Sequence, residues 1–424
     1  MKKVNSNPSI APTPQLPTVV VINDNASVTG GADKIALTSV AELAKRGHRV
    51  FLLTAVGELP REYAEIPGLT VVSTEQYDLL GNPNRLNAAV QGLWNTRSAK
   101  VSAELFDSLD TRTTIVHVHL WAKALSSSVV RAAIARNFQV VVTIHDYLLA
   151  CPTGTLFIHP QKQICHIKPM SLECICTNCD SRTYADKLWR VARQSIQAKI
   201  GGMPGRIKHF IGISDLSLNV MRSNLPAGAT LYRVSNFVDM PWRPPSQVFE
   251  NQTFVYTGRL VREKGPVLFA QAAESMKVPA LFIGEGSSHE EVLAANPRAE
   301  ITGWLPYNKI QERLRSARAF VFPSRWYEVQ PLVILEAIAN GIPCIVADTS
   351  AAREMIADGE TGFWFKGGSA SDLADKIHLL TDPALAAQLG KTAHQRYWAH
   401  PHTVERHIRD LERVYGEMLR SVKA

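Results

Sequence analysis

Short runs rich in β-branched residues alternate with helical patterns along almost all of this 424-residue sequence. The helical spacing is clearest in residues 32–46, where apolar residues recur every three or four positions before Gly47 ends the pattern. Such alternation is typical of parallel sheets whose strands are joined by crossover helices, and it predicts an α/β fold. The predicted strands are residues 18–22, 49–54, 70–73, 114–118, 139–144, 210–213, 230–233, 254–257, 281–283, 300–301, 319–322 and 345–347.

A proline-rich stretch at 237–247 divides the predicted strands into two series. Because 424 residues are too many for one ordinary core, we expect two domains. The predicted parts are a disordered tail at 1–17, an N-terminal domain at 18–236, a linker at 237–247, a C-terminal domain at 248–401 and an amphipathic helix at 402–424. Ligands of doubly wound sheets bind at the carboxyl ends of the strands, so motifs from both halves should line one cleft.

Charge and hydropathy exclude two classes of protein. The formal net charge is +8, but the basic residues form no long tract and are not interleaved with stacking aromatic residues, so we expect no nucleic-acid partner. No apolar run approaches the roughly 20 residues that span a bilayer, and residues 1–17 lack the apolar centre of a signal peptide. We therefore expect a cytoplasmic protein.

Residues 182–208 carry many basic residues between apolar ones and predict a basic amphipathic helix. One interpretation is peripheral contact with an anionic membrane surface, at the inner face of the cytoplasmic membrane, or with a phosphate-bearing acceptor. The other is a helix packed on its own domain with a basic outer face.

Glu328 and Glu336 flank the start of a predicted helix. The strand at 319–322 is followed by a turn, and Pro331 begins a helical pattern over 332–340. The two carboxylates are therefore roughly 10 Å apart along the axis, near the distance from the sugar to the ribose of a nucleotide sugar. The helix N-terminus between them favours a phosphate. Taken singly, each acid would be interpreted as a solvated surface residue, but together they predict a nucleotide-sugar site.

Glycine turns follow two of the predicted strands. Gly258 lets the backbone approach a ligand after strand 254–257, and Arg259 and Lys264 follow it as cations that can neutralise a diphosphate. Gly31 lies between the first strand and the first helix, where the missing Cβ permits close approach of a phosphate or a sugar.

The pattern Gly-Arg-x4-Lys-Gly at 258–265, followed by Glu-x7-Glu at 328–336, resembles the retaining GT-B glycosyltransferases of the group 1 family, also called GT4. The resemblance implies two Rossmann-like doubly wound domains facing a central cleft, with a last helix that returns to the N-terminal domain. It implies that Glu328 holds the hydroxyls of the transferred sugar, that Glu336 holds the ribose, and that His119 is the active-site histidine. It also implies retention at the anomeric carbon, with the donor phosphate accepting the proton of the incoming hydroxyl.

The segment that follows Glu328 should contact the donor as well. We expect these contacts at Val329, Gln330 and Leu332, although Pro331 between them removes one amide donor. The sequence contains no Asp-x-Asp pair to hold a divalent ion, so we expect no metal cofactor in catalysis. The two cations after Gly258 and backbone N–H groups would then stabilise the leaving diphosphate.

The leading hypothesis is transfer of a hexose from a UDP-sugar or GDP-sugar to a saccharide or lipid-linked acceptor in cell-envelope or exopolysaccharide synthesis. One alternative is a GT-B sugar-nucleotide epimerase. Another is a catalytically silent protein that binds carbohydrate or a membrane surface. The joint presence of four charged residues favours an enzyme, because a pure binding protein does not need all of them: Arg259, Lys264, Glu328 and Glu336.

Most of the cysteines fall in residues 151–179, which we interpret as an insertion in the N-terminal domain. In a reducing compartment, clustered thiols favour a structural zinc site. The predicted ligands are Cys151, Cys165, Cys176 and Cys179, and the competing ligands are His159, His166 and Cys174. The alternative is a set of reduced thiols in an irregular loop, since the spacing is not that of two regular zinc knuckles.

Overall fold

The computed structural model describes residues 16–423, so residues 1–15 of the predicted tail lie outside the described residues. The strands of the first half are β1 (Thr18–Ile22), β2 (Val50–Thr54), β3 (Leu69–Ser73), β4 (Thr114–Val118), β5 (Gln139–Ile144), β6 (Phe157–Ile158), β7 (Gln163–Ile164), β8 (His209–Gly212) and β9 (Thr230–Arg233). They form a parallel sheet in the order β3-β2-β1-β4-β5-β8-β9 and a separate antiparallel hairpin, β6-β7.

The helices of the first half are α1 (Gly31–Lys45), α2 (Arg61–Ala64), α3 (Arg85–Leu93), α4 (Thr96–Asp107), α5 (Ser128–Ala135), α6 (Leu172–Cys176), α7 (Tyr184–Ile196) and α8 (Asp215–Arg222). Helix α1 follows the predicted pattern, because Leu37, Val40 and Leu43 are all buried against the sheet. The chain turns out of α1 at Gly47, whose φ of +92° favours glycine.

The second half repeats the same plan. Its strands are β10 (Phe254–Thr257), β11 (Ala280–Ile283), β12 (Glu300–Ile301), β13 (Ala319–Phe322), β14 (Cys344–Ala347) and β15 (Gly362–Phe365), in the parallel order β12-β11-β10-β13-β14-β15. Its helices are α9 (Pro266–Met276), α10 (His289–Ala295), α11 (Tyr307–Arg315), α12 (Leu332–Ala339), α13 (Ala370–Leu379), α14 (Pro383–Ala399) and α15 (Val404–Lys423). Strand β15 was not predicted. A Cβ on its Gly362 would lie 2.1 Å from the Cys344 carbonyl oxygen, a tertiary contact that the local pattern does not reveal.

The prediction of two parallel-sheet, Rossmann-like domains is confirmed. In each sheet the direction of chain progression reverses between two neighbouring strands, β1 and β4 in the first sheet and β10 and β13 in the second. Doubly wound sheets bind ligands outside the carboxyl ends of the strands at such a reversal. The loops after these four strands therefore define the candidate site.

Helix α15 packs on the first sheet although it follows the second in sequence. Its apolar face, which includes Ile408, Leu411, Val414 and Met418, is buried in one cluster with Val19 and other strand residues. This contact returns the end of the chain to the N-terminal sheet.

Helix α7 differs from the interpretation of residues 182–208 as a helix with a basic outer face, whereas contact with an anionic membrane stays a prediction. Its buried residues are the polar Lys187, Arg193 and Gln194, whereas Leu188 faces solvent. The reason is local satisfaction of the charges, because the Arg193 guanidinium donates to the Pro152 carbonyl oxygen at 3.2 Å and lies 5.3 Å from the Trp189 ring centroid. The predicted basic outer face is therefore wrong for this helix. Across residues 16–423, no helix combines the length and the apolar character needed to cross a membrane.

Candidate active site

Glu328 lies in the loop between β13 and α12 and is buried. Its Oε1 accepts hydrogen bonds from the Ser324 hydroxyl at 2.9 Å, from Trp326 Nε1 at 2.5 Å and from the Lys264 ammonium. Among the described residues, all of the side-chain hydrogen bonds to this carboxylate reach Oε1. Oε2 can therefore accept a hydrogen bond from a ligand hydroxyl.

Lys264 ends a 3-10 turn, Arg262–Lys264, in the loop that follows β10. The next residue, Gly265, has a φ of +69°, and a Cβ there would lie 2.1 Å from the Pro323 carbonyl oxygen. Only glycine allows this approach, which fixes the turn against the end of β13. The Lys264 ammonium consequently lies beside Glu328 and 5.4 Å from the centroid of the Trp326 ring.

Glu336 lies on α12, eight residues after Glu328, and it is also buried. Burial raises the pKa of Glu336 to about 7, while the charge of Lys34 and hydrogen bonds from Gln311 and Tyr307 oppose this rise. Gln311 Nε2 donates to Glu336 Oε2 at 3.0 Å. The carboxyl group therefore titrates near neutral pH while it already accepts hydrogen bonds from Gln311 and Tyr307.

Other predicted donor contacts are placed differently. The Arg259 side chain is 67% exposed, and its guanidinium lies 4.0 Å from Glu263. Gln330 Oε1 accepts the backbone N–H of Asn236 at 2.8 Å, and Val329 packs against the core of the N-terminal sheet. In this structure Gln330 and Val329 therefore join the two domains. Their direct contact with a donor stays a prediction, as does that of Arg259.

The first glycine turn meets the second domain across the cleft. A Cβ on Gly31 would lie 3.4 Å from Leu332 Cδ1, so the N-terminus of α1 faces that of α12. The buried Asp33 carboxylate fixes this turn, since it accepts hydrogen bonds from Asn23 Nδ2 at 3.0 Å and from the Thr29 hydroxyl at 2.5 Å. The N-termini of α1 and α12 therefore line the same space.

His119 follows β4 and is buried. Its Nδ1 lies 2.9 Å from His145 Nε2, and its own Nε2 is buried without a hydrogen-bond partner among the described residues. Burial, followed by the charges of neighbouring histidines, holds the pKa of His119 well below its usual range, so the ring is neutral. A neutral imidazole with an unpartnered Nε2 keeps the capacity for one further hydrogen bond.

His117 has a different environment from His119. Its Nδ1 lies 2.7 Å from the Tyr415 hydroxyl and its Nε2 lies 2.7 Å from the Thr143 hydroxyl. Both ring nitrogens are thus satisfied within the protein, and burial lowers the pKa of His117 to about 3. His117 therefore links α15 to the sheet through its hydrogen bond with Tyr415.

The zinc site predicted at Cys151, Cys165, Cys176 and Cys179 is not formed. Within residues 16–423, no group of three or more His, Cys, Asp or Glu residues is arranged to hold a metal ion. Cys176 is exposed at the end of α6, whereas Cys179 is buried. The buried Lys187 ammonium lies 3.0 Å from Cys179 Sγ and 3.6 Å from Cys174 Sγ. A positive charge between these sulfur atoms disfavours a second cation there.

The cysteine-rich insertion nevertheless reaches the donor side of the cleft. His159, beside the β6-β7 hairpin, places Nδ1 3.7 Å from Glu263 Oε2 in the turn that carries Lys264. Glu263 also anchors the opposite loop through its carbonyl oxygen, which accepts the Arg325 N–H at 2.8 Å. The insertion therefore contacts the turn that positions Lys264.

Several residues of this site were missed by sequence reasoning. Ser324 and Trp326 lie in the turn before Glu328, and Asp33 lies two residues after Gly31, but none of them was given a role. Gln311 lies on a helix with no distinctive pattern. Ser324 and Trp326 could have been found from their proximity to Glu328 in the sequence. The remaining contacts arise only when distant elements pack together.

Comparison with known proteins matches both halves of the chain. Residues 30–165 match the family described as glycosyl transferase 4-like domain, and residues 242–396 match the family described as glycosyl transferases group 1. These two matches contain the Gly31 turn, His119 and both glutamates. The chain belongs to the GT4-type glycosyltransferases of the GT-B class.

Individual GT4-type relatives are distant. The sulfoquinovosyl transferase of Arabidopsis thaliana is 29% identical over 153 residues, 34% of this chain and 30% of that protein. The UDP-Gal:alpha-D-GlcNAc-diphosphoundecaprenol alpha-1,3-galactosyltransferase of Escherichia coli is 27% identical over 163 residues, 35% of this chain and 41% of that protein. The chain thus spans about a third of the length of the curated relatives it matches first. The crystal structure of Anabaena HepE in complex with UDP superimposes with a TM-score of 0.63 at 15% identity, covering 94% of this chain and 100% of that one.

Proposed function

We propose that this protein transfers a hexose, with retention at the anomeric carbon, from a nucleoside diphosphate sugar to a saccharide or lipid-linked acceptor of the cell envelope or an exopolysaccharide. The observation that carries the proposal is the convergence of Lys264, Ser324 and Trp326 on one oxygen of the buried Glu328. A carboxylate fixed in this way keeps a free oxygen for sugar hydroxyls, and its cationic partner lies where a diphosphate would follow. The named relatives with UDP or UDP-galactose support UDP as the nucleotide.

In the proposed donor complex, the two glutamates bind different parts of the donor. Glu328 binds hydroxyls of the transferred sugar before the helix, and Glu336 binds the ribose hydroxyls on it. Lys264 and Arg259 neutralise the diphosphate between them, together with the N-termini of α1 and α12. Arg259 is free to swing into the site because most of its side chain is solvated.

In the proposed transfer step, the acceptor hydroxyl oxygen forms a bond to the anomeric carbon as the bond from that carbon to the phosphate oxygen breaks. The hydroxyl proton passes to an oxygen of the leaving diphosphate on the same face, so no protein nucleophile is required. Lys264 stabilises the negative charge that develops on the diphosphate, which lowers the barrier by preorganised electrostatics. The neutral His119 orients a hydroxyl through Nε2 without adding charge.

A thermal-shift screen with UDP-, GDP- and ADP-sugars tests the donor part of this proposal. A ligand that binds only the folded state raises the melting temperature with its concentration, so one nucleotide series should give a clear increase. The Glu336→Gln variant should reduce that increase, whereas Glu300→Gln, a change at an exposed site in the same domain, should not. Absence of a shift with every nucleotide sugar would contradict the proposed function.

A further inference from the structure

A second cavity, of about 530 Å³, lies in the N-terminal domain between α3, α7 and the loop after β4. This volume falls within the roughly 300–1,000 Å³ of small-molecule sites. Its apolar lining includes Leu79, Leu80, Ala88, Ala89, Ala122, Ala185 and Trp189, and its basic lining consists of Arg85, Lys123, Arg182, Arg190 and Arg193. The combination of apolar and basic walls suits an amphiphile with an anionic head.

Two of the basic residues, Lys123 and Arg182, are available to a ligand, whereas the others are engaged within the protein. The Arg85 guanidinium donates to carbonyl oxygens of the adjacent loop, and Arg190 pairs with Asp180 at 2.7 Å. Lys123 and Arg182, in contrast, are exposed, and among the described residues neither has a carboxylate oxygen within 4.0 Å. Two unpaired cations at one cavity form a site for a phosphate or diphosphate.

The acidic residues of the cavity offset only part of this charge. Asp78 uses Oδ1 to accept the backbone N–H groups of Leu80 and Gly81, and Asp186 accepts the Thr183 hydroxyl at 2.6 Å. Five basic residues and two acidic residues line the cavity, which leaves an excess of positive charge.

Apolar side chains continue from the cavity onto the surface. Leu80, Leu86 and Val90 are 62%, 76% and 56% exposed, and Leu188 on the neighbouring helix is exposed as well. Helices α3 and α7 meet directly below them, because Trp189 Nε1 donates to the Ala89 carbonyl oxygen at 3.2 Å. Exposed apolar side chains in one area, on α3, on α7 and in the loop before α3, indicate a surface that an apolar ligand covers.

The cavity adjoins the acceptor side of the cleft. Lys123 lies four residues after His119, and its backbone N–H donates to the Asp24 carboxylate at 2.9 Å, directly after β1. The charges of Lys123 and Arg193 also act on Asp146 after β5, where burial raises the pKa to about 6. An anion held at Lys123 would therefore lie at the same edge of the sheet as His119.

We propose that this cavity binds the phosphate or diphosphate of a lipid-linked acceptor, with the hydrocarbon chain lying over Leu80, Leu86 and Val90. The inference rests on the proposed glycosyl transfer and assigns the acceptor to the lipid-linked class. Lys123 and Arg182 would bind the anionic group, and the sugar attached to it would extend toward His119. This arrangement would make the two cations specificity-determining residues.

The test measures binding of geranyl diphosphate, geraniol and inorganic diphosphate to the full chain by calorimetry, with UDP present to occupy the donor site. Geranyl diphosphate should bind at least about tenfold more tightly than either other probe, because it alone contacts both the apolar and the basic lining of the cavity. Lys123→Ala combined with Arg182→Ala should weaken its binding at least about tenfold, since two charge-assisted contacts are lost. Lys391→Ala, at an exposed site on α14, is the control and should change nothing.

A second pair of variants separates this site from the donor site. Leu80→Ser should weaken geranyl diphosphate but leave inorganic diphosphate unchanged, whereas Lys264→Ala should weaken UDP and leave geranyl diphosphate unchanged. Equal affinity for geranyl diphosphate and inorganic diphosphate, or unaltered binding in the variant lacking both cations, would overturn the proposed cavity site. Sedimentation with anionic vesicles that is unaffected by the cavity variants, together with no geranyl diphosphate binding, would assign the leucines to a membrane surface and also overturn it. Failure of UDP to bind would count against the donor proposal alone.

Discussion

Donor affinity should fall about tenfold when the pH is lowered from 8 to 6, and Glu336→Gln should remove this dependence. Burial raises the pKa of Glu336 to about 7 in the free protein. Ribose hydroxyls donate hydrogen bonds, and the ionised carboxylate accepts them better than the neutral acid does. Donor binding is therefore linked to loss of the Glu336 proton, and this loss becomes costly below a pH of about 7.

The size of the effect follows from the ionised fraction. With a pKa of about 7, roughly one carboxyl in eleven is ionised at pH 6 and ten in eleven at pH 8, a ratio of ten or about 1.4 kcal/mol. Lys34 and Tyr307 also face this carboxyl; the charge of Lys34 lowers its pKa, whereas that of Tyr307 is raised by burial and by Glu336 itself. His117 and His145, in the N-terminal domain, stay neutral over this range, because burial lowers the pKa of His117 to about 3 and of His145 to about 4.

Calorimetry with the nucleotide sugar, rather than the free nucleotide, is the appropriate assay, because the diphosphate diester has no protonation step near neutral pH. Titrations in two buffers with different ionisation enthalpies should show a proton released on binding at pH 6. Asp146→Asn is the control, since Asp146 has a pKa of about 6 but lies after β5 on the acceptor side. A donor affinity that is flat from pH 6 to 8, or a slope that persists in Glu336→Gln, would refute the assigned role of Glu336.

Three further outcomes are expected. Glu328→Gln and Lys264→Ala should each lower transfer at least about tenfold with the fold intact by circular dichroism, because each removes a contact to the reacting part of the donor; near-normal turnover would reject that role. Activity should persist in excess EDTA, since Lys264 stabilises the diphosphate; immediate loss that magnesium reverses would contradict this. Lys187→Ala should destabilise the N-terminal domain by about 2–4 kcal/mol in urea unfolding, because a fully buried side chain is removed. The exposed Lys168→Ala should have almost no effect, and equal midpoints in these two variants would show that the Lys187 contacts contribute little.

Much of the architecture could be read from local patterns. Strands such as β1, β4 and β13 begin and end at the predicted residues, because short β-branched runs bounded by turn residues leave few alternatives. The two sheets followed from the alternation of these runs with helices. The weak strand β15 could not be predicted in this way, since its position depends on a backbone approach to Cys344 rather than on its own four residues.

The glutamates and Lys264 could also be assigned to one site, because glycine turns after parallel strands place their side chains at one edge of each sheet. The partners of those side chains could not be predicted. Trp326 and Ser324 reach the same oxygen of Glu328 only because the loop after β13 folds back, and Gln311 reaches Glu336 from another helix.

The cysteine cluster and helix α7 show most clearly what cannot be predicted from the sequence by itself. Composition determined that many cysteines lie in one segment and that many cations lie in the next. The tertiary structure decided that Lys187 turns inward to lie between two of the sulfur atoms, while Leu188 beside it faces solvent. Sequence periodicity reports which residues share a helix face, but which face is buried depends on the partners available to each charge once the surrounding segments have packed.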